Sequence, residues 1–166
     1  MFSMLAVMGV LLYENVILQP PIIIKIDNLG GIFSLSKDSF FYLFLAAIVV
    51  FNGILLILGT VIPTLPEKFL PIPKRKFWAS SQNTRRMLLK NFKLWIKGVG
   101  IFLNLFIMVY LVSIQIENGA TPAIPFNPSI LSALILVLLV GWFLLFFAWF
   151  GMTKTAAEKV KVVSQN

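Results

Sequence analysis

Side chains able to carry out acid–base, metal or nucleophilic chemistry are scarce in this chain of 166 residues. It has no His and no Cys, which removes the commonest metal ligand, the usual proton shuttle near neutral pH and any thiolate nucleophile. Its serines therefore lack a histidine base, and paired carboxylates are missing as well. These absences predict a non-catalytic protein with no metal and no cofactor, and a bound lipid is compatible with them.

A few polar side chains interrupt otherwise apolar runs. Glu14 lies one turn before the end of the first run, so we expect its carboxylate to snorkel to the outward-facing interface. A proton-accepting site is the alternative. Asn52 and Asn104 lie near the middles of the next two runs. We expect them to make interhelical hydrogen bonds, for which each could serve as the other's partner, and the alternative is that they line a substrate path.

The composition is that of a membrane protein. Hydrophobic residues make up 59% of the chain, and only 12% are charged, whereas soluble domains average about 25% charged residues. Three uncharged runs are long enough to cross about 30 Å of hydrocarbon. They are residues 40–62, 98–116 and 129–152, and the last of them ends before Lys154. Ser129 is the expected N-cap of the last. A pump, a proton-coupled transporter or a voltage sensor is not expected, because these three runs contain no ionisable residue.

The first run, residues 1–18, is shorter. At about 1.5 Å per residue it would span about 27 Å as a helix, which is enough for a thin or local span. A cleaved signal peptide is the alternative, but the run has no basic leader and no small-residue cleavage pattern after it. We therefore predict an all-α integral membrane protein with four transmembrane helices in a single membrane domain, residues 1–166.

Most of the positive charge lies in one loop. Residues 64–97 contain nine Lys or Arg and one acid, Glu67, so the loop carries a net charge of +8, equal to that of the whole chain. Basic loops next to spans remain on the cytoplasmic side. The sequence thus predicts a multi-pass protein of the bacterial inner membrane with both termini in the cytoplasm, and with residues 19–39 and 118–128 facing outward.

Within this loop the pattern changes from extended to helical. The prolines in "PIPKRKFWASS" predict an extended segment, and a helix is expected to begin near Ser80 or Ser81. This cytoplasmic helix should be amphipathic, with basic and apolar stripes on opposite faces, and should continue into the third span. The basic stripe is Arg86, Lys90, Lys93 and Lys97, and the apolar stripe is Leu88, Phe92, Trp95 and Val99.

The expected role of this helix is contact with anionic lipid headgroups. The residues predicted to make that contact are Arg85, Arg86, Lys90, Lys93, Lys97 and Trp95. Trp78 and Trp95 would lie in the aromatic belt at the membrane interface. Nucleic-acid binding and recognition of one specific lipid or partner are the alternatives, but orientation alone already requires a basic loop here, and we expect no nucleic-acid partner.

The outward-facing loop has its own local order. "IIIKI" at residues 22–26 has the β-branched composition of a short strand, and "DNLGG" after it is typical of a turn. Lys25, Asp27 and Lys37 form a candidate partner site on this loop.

In the last span, aromatic residues occur all around the helix and are expected to pack against lipid or a partner, with stacking on a pigment or quinone as the alternative. They are Trp142, Phe143, Phe146, Phe147, Trp149 and Phe150.

Two stretches resemble a bacterial family. "PPIIIKIDNLGG…SLSKDSFF" and "LPEKFLPIPKRKFWASSQNTRRML" are similar to the two loops of an uncharacterised membrane domain that is also found at the start of Sdp-type immunity proteins. The resemblance covers roughly residues 20–115 and implies a four-span helical protein with a structured outer loop and a basic cytoplasmic loop. Lys25 stands where the family usually has His, and the further spans of the immunity members are missing here, so immunity is not implied.

Three functions follow as hypotheses. The first is an accessory or structural subunit packed against other membrane-protein subunits, with anionic lipids as further partners. The second is an immunity-type or envelope-protective receptor that binds a peptide at the outer loop. The third and least supported is a small-solute carrier that uses Asn52 and Asn104.

Overall fold

The computed structural model describes residues 2–26, 32–119 and 127–163, and the side chains of these residues except 25, 26 and 152–163. The described chain is mostly helical. Its helices are α1 (Phe2–Ile17), α2 (Lys37–Val61), α3 (Arg75–Ala79), α4 (Gln82–Glu117) and α5 (Pro128–Val163). Two strands, β1 (Ile22–Ile26) and β2 (Ile32–Leu35), and two 3-10 turns, Ile62–Thr64 and Glu67–Phe69, complete it.

Three segments are long and apolar enough to cross a membrane: Lys37–Thr64, Gln82–Glu117 and Pro128–Gly151. The predicted spans 40–62, 98–116 and 129–152 overlap these three segments, so the prediction of three helices long and apolar enough to cross a membrane is confirmed. The first run forms α1, a shorter apolar helix of 16 residues. At about 1.5 Å per residue α1 is about 24 Å long.

The contacts within the chain divide it into two compact units. One unit contains residues 1–54 and 100–138, and we call it the hairpin unit because it includes both strands. The other contains residues 55–99 and 139–166, and we call it the basic unit because it includes the basic loop. Helices α2, α4 and α5 each contribute residues to both units.

A β-hairpin is the distinctive element of the hairpin unit. β1 matches the predicted strand, and it pairs antiparallel with β2, a second strand that the sequence analysis did not identify. The register shifts between Ile23 and Lys25, where one strand carries an extra residue, as in a β-bulge. The predicted turn, residues 27–31, lies outside the described residues.

The core of the hairpin unit brings α1, β1, α2 and α4 together. Its buried members are Val7, Leu11, Leu18, Ile22, Phe40, Ile48, Leu111 and Ile114. The strand residue Ile22 is completely buried, so the hairpin is packed onto the helices rather than attached only through its connections.

Side-chain caps define the N-terminal ends of α4 and α5. Ser81 and Thr84 form reciprocal bonds: the amide of Thr84 donates to Ser81 Oγ (3.2 Å), and the amide of Ser81 donates to Thr84 Oγ1 (3.1 Å). The predicted helix start near Ser80 or Ser81 is therefore confirmed. At α5 the prediction of Ser129 as the cap was wrong. Pro128 is already helical, and Asn127 Oδ1 accepts from the amide of Ser129 (3.0 Å).

The two prolines before α4 predicted an extended segment, and this prediction is wrong for part of it. Residues 75–79 form the short helix α3, and Lys74 before it adopts a left-handed conformation with φ 52° and ψ 39°. The prolines restrict only the residues next to them, so they leave Arg75 and its successors free to turn. Trp78 at the centre of α3 is completely buried, and its predicted place in an aromatic belt was wrong.

Candidate functional site

Asn52 and Asn104 lie side by side in the hairpin unit. Asn52 Nδ2 donates to Asn104 Oδ1 (2.9 Å), and Asn104 Nδ2 donates to Asn52 Oδ1 (3.1 Å). Each amide also makes one more bond: Asn52 Nδ2 to the carbonyl of Ile48 (2.8 Å), and Asn104 Nδ2 to Ser3 Oγ (3.1 Å). The pair therefore joins α1, α2 and α4 through bonds that use both amide oxygens and both NH₂ groups.

This arrangement bears on the two uses considered for these asparagines. Asn104 is buried and Asn52 half-buried, and a polar amide away from water is costly unless it is hydrogen-bonded. Here the hydrogen bonds between the two side-chain amides offset the cost of removing each of them from water. A solute that entered between them would have to replace two mutual hydrogen bonds, so the geometry favours helix association over a substrate path.

Asn118 is a residue that the sequence analysis missed. At the end of α4, its Oδ1 accepts from the amide of Ile23 (2.9 Å), and its Nδ2 donates to the carbonyl of Ile23 (2.8 Å) and of Ile114 (2.8 Å). The Asn118 amide thus pairs with both the N–H and the carbonyl of Ile23, as the backbone of a neighbouring strand would. It also caps the C-terminal end of α4. Gly119, with φ +75°, permits the left-handed turn that follows. The "NG" pair predicts such a helix end but not its contact with Ile23.

Glu14 does not snorkel to an interface, so that prediction was wrong. Its side chain is completely buried, as are those of Val7 and Leu11 on the same helix. Neither carboxylate oxygen has a hydrogen-bond partner among the described residues, where the side chain of Lys25 is not included. Such a group is costly to bury in its charged form. The proton-accepting role stays a prediction.

The basic face of α4 has the predicted amphipathic exposure. Arg86, Lys90, Lys93 and Lys97 are all exposed. On the other side Leu88 and Phe92 are buried, and Trp95 and Val99 are half-buried. The 3.6-residue pattern is therefore confirmed. Headgroup contact by this face stays a prediction.

Arg85 is arranged differently from its neighbour Arg86. It is half-buried, and Nη1 donates to the carbonyls of Pro63 (2.9 Å) and Leu65 (2.7 Å). These carbonyls belong to the irregular segment that follows α2, where helical partners run out. Arg85 therefore fixes the end of α2 to the start of α4, whereas the guanidinium of Arg86 is exposed.

Trp95 belongs to an aromatic cluster of the basic unit. Its ring lies 4.7 Å from the ring of Phe146 and 5.3 Å from that of Phe143, measured between centroids. Its indole donates to the carbonyl of Trp142 (3.4 Å), and the indole of Trp142 donates to the carbonyl of Trp95 (3.1 Å). Contact of Trp95 with headgroups stays a prediction, and its N–H already has a protein acceptor.

The six aromatic residues of α5 differ in burial, and one of them, Trp142, is half-buried. Phe146 and Phe150 are buried in the cluster with Trp78 and Phe92, so the expectation that the whole set would face lipid or a partner is wrong for these two. The N–H of Trp78 donates to the carbonyl of Phe150 (3.2 Å). The exposed group is Phe143, Phe147 and Trp149.

The candidate outer-loop site is described only in part. Asp27 and the side chain of Lys25 lie outside what the structure describes, and Lys37 is half-buried at the first position of α2. On β2, Ile32 and Phe33 are 64% and 58% exposed, which is unusual for large apolar side chains on a hairpin. Because consecutive strand residues point to opposite faces, β2 exposes a large apolar side chain on each of its two faces.

No group of three or more acidic side chains that could hold a metal ion lies together in the described part of the chain. Comparison with known proteins finds no matching family model, no matching curated protein and no matching solved structure.

Proposed function

We propose that this protein is a non-catalytic, multi-pass membrane protein that serves as an accessory subunit of a larger membrane complex. Two features support the proposal. The side-chain amides of Asn52 and Asn104, within α2 and α4, form hydrogen bonds with each other. The apolar surfaces of two membrane-length helices, by contrast, have little cover from the rest of the chain.

The exposed helix surfaces are the observation that carries the proposal. Only 6% of the most apolar stretch of α2 and 11% of that of α5 are buried, against 33% for α4. In lipid, helices associate by van der Waals packing and hydrogen bonding rather than by the hydrophobic effect, so exposed surface alone does not select a partner. Aromatic residues are enriched at protein interfaces, and α5 exposes Phe143, Phe147 and Trp149. We assign Phe143 and Trp149 of α5 to the contact with the partner subunit.

The orientation belongs to the same proposal. α1 is the fourth span, and at about 24 Å it crosses a locally thinned bilayer. Residues 64–97, with their net charge of +8, lie in the cytoplasm with both termini, and the membrane is the bacterial inner membrane. The exposed basic face of α4 then contacts anionic headgroups.

Purification from native membranes in a mild detergent tests the proposal. The wild-type protein should co-purify with at least one membrane protein in fixed stoichiometry. A variant with F143A and W149A should lose that partner, whereas a control with L56A and I57A, two exposed positions on α2, should keep it. A wild-type protein that remains a stable monomer without a partner would contradict the proposal.

A peptide receptor of the immunity or envelope-protective type is the second candidate. It is favoured by the hairpin, since Ile32 and Phe33 are exposed on β2 and no further strand pairs with β2 among the described residues. An extended peptide adds to such an edge through backbone bonds, with pockets reading alternate side chains. Sensitivity of a deletion strain to a peptide toxin would support it, and unchanged sensitivity in every background would count against it.

A small-solute carrier is the third and weakest candidate. It would need the Asn52–Asn104 pair to open during transport, and the pair is closed by two hydrogen bonds. Flux through reconstituted vesicles that is the same with and without the protein would dismiss it.

A further inference from the structure

The basic unit contains an open groove that the preceding functions do not use. Its volume is about 770 Å³, within the range of roughly 300–1,000 Å³ that is typical of small-molecule sites. The consecutive residues 70–77 line it together with Phe147 of α5. We infer that this groove binds one anionic phospholipid, with the phosphate at Lys74–Lys76 and an acyl chain against Phe77 and Phe147.

The lining of the groove is divided by chemistry. Leu70 and Ile72 are buried beneath it, and Phe147 is 62% exposed, so one part presents aliphatic and aromatic carbon. Three consecutive cations, Lys74, Arg75 and Lys76, are exposed on the other part. An apolar surface beside a cluster of cations is complementary to an amphiphile with an anionic head.

Among the side chains that the structure describes, the cations of the groove are not paired with an anion. Arg75 Nη1 makes one hydrogen bond, of 3.3 Å, to the carbonyl of Lys68. Among the described residues, no hydrogen bond or ion pair holds the ammonium group of Lys74 or Lys76. The one acid of residues 64–97, Glu67, does not line the groove. Guanidinium and ammonium groups together suit a phosphate, because the first binds it through paired donors and the second as a point charge.

The groove also lies at a suitable level along its helices. α2 ends at Val61, and the apolar segment of α5 ends at Gly151, four residues after Phe147. Residues 70–77 follow the first of these ends. A groove lined by segments near two such ends is expected where hydrocarbon gives way to headgroups, which is where phospholipid phosphates lie.

Photolabelling in vesicles tests this site. The probe is phosphatidylglycerol with a diazirine on one acyl chain, present at low level in phosphatidylcholine vesicles that contain the full chain. We expect labels on Phe147 or on residues 70–77, located by mass spectrometry. The same diazirine on phosphatidylcholine should label them at least about fivefold less, since each nearby cation strengthens binding of an anionic surface about fivefold.

Two matched variants separate the site from general charge. K74N/K76Q removes two groove cations, keeps the Arg75 bond and places Asn, which tolerates the left-handed conformation, at residue 74. It should lower groove labelling about tenfold or more. K90Q/K93Q removes two exposed cations that do not line the groove and should change it by less than about twofold.

Three results would overturn the inference: equal labelling by both lipids, equal loss in both variants, or displacement of the labelled lipid by millimolar inorganic phosphate. The last result would identify a site for a free anion. Circular dichroism and thermal unfolding in detergent verify that each variant is folded. Since no partner subunit is needed, failure here and failure of the accessory-subunit proposal are separate outcomes.

Discussion

Trp95 and Trp142 hold α4 and α5 together by reciprocal bonds, in which each indole N–H donates to the backbone carbonyl of the other residue, at 3.4 and 3.1 Å. A backbone carbonyl within a helix normally accepts one hydrogen bond from the helix itself. Because the oxygen has two lone pairs, each carbonyl can accept the indole N–H as a second donor. The arrangement requires close approach of the two helices. Gly98 provides it, because a Cβ at this position would overlap with Cζ2 and Cε2 of Trp142.

The first prediction concerns this close approach. Gly98→Ala should destabilise the protein by about 1–3 kcal/mol, because the indole of Trp142 must move and its bond to Trp95 must lengthen. The matched control is Gly141→Ala, next to Trp142, where an added Cβ has nothing within 4 Å. It should be neutral or stabilising, since Ala is the better helix former. Thermal unfolding in detergent, followed by tryptophan fluorescence, measures both, and equal effects would contradict the prediction.

The extent to which the sequence predicts these features depends on how local they are. The apolar runs and the 3.6-residue pattern around Arg86 and Leu88 are contained in short segments, so the three long helices and the exposed face of α4 could be predicted. The bond from Trp78 to the carbonyl of Phe150 joins residues 72 apart, and the bonds from Asn118 to Ile23 join residues 95 apart. Composition and period carry no information on such pairs.

Neighbouring basic residues show the same limit on a smaller scale. Arg85 and Arg86 are identical in type, and adjacent helical residues point about 100° apart, so one of them can turn inward. The sequence analysis placed both residues at the headgroups, because nothing in the sequence indicates that Pro63 and Leu65 present carbonyls to one of them. The location of the groove at residues 70–77 was missed because α3 was expected to be extended.

The second prediction concerns the asparagine pair. Asn52→Leu and Asn104→Leu should each destabilise the protein by about 0.6–2 kcal/mol, because each leaves the other amide without its partner. The double variant should cost less than the sum of the two. Ser113→Ala is the control, as Ser113 Oγ donates only to the carbonyl of Val109 in its own helix. Additive effects in unfolding experiments would show that the pair does not act as a unit.

The third prediction concerns the anchor of the hairpin. Asn118→Ala removes both bonds to the backbone of Ile23 and should lower the stability of the hairpin by about 1–3 kcal/mol. Hydrogen exchange should then accelerate at the Ile23 amide more than within α4. Glu117→Gln, at an exposed neighbouring position, is the control. Unchanged exchange at Ile23 in the Asn118 variant would contradict the role assigned to this residue.

The fourth prediction concerns the buried carboxyl of α1. Glu14→Gln keeps the shape of the side chain and removes its charge, and neither carboxylate oxygen has a partner among the described residues. The variant should therefore be at least as stable as the wild type at neutral pH, because no charge remains to be buried. A loss of more than about 1 kcal/mol in thermal unfolding would mean that the carboxylate is paired with a cation.

The final prediction separates structure from membrane contact in the arginine pair. Arg85→Gln should lower stability by about 1.5 kcal/mol, the lower end of the range for hydrogen bonds from a charged donor, because the side chain is only half-buried. Arg86→Gln should leave stability unchanged, since this guanidinium is exposed, and should instead weaken retention of anionic lipid by an amount that salt reduces. Unfolding in detergent gives the first effect, and the number of anionic lipids retained after delipidation at low and high salt gives the second. If both variants lost stability equally, the carbonyls of Pro63 and Leu65 would not be the reason that Arg85 turns inward.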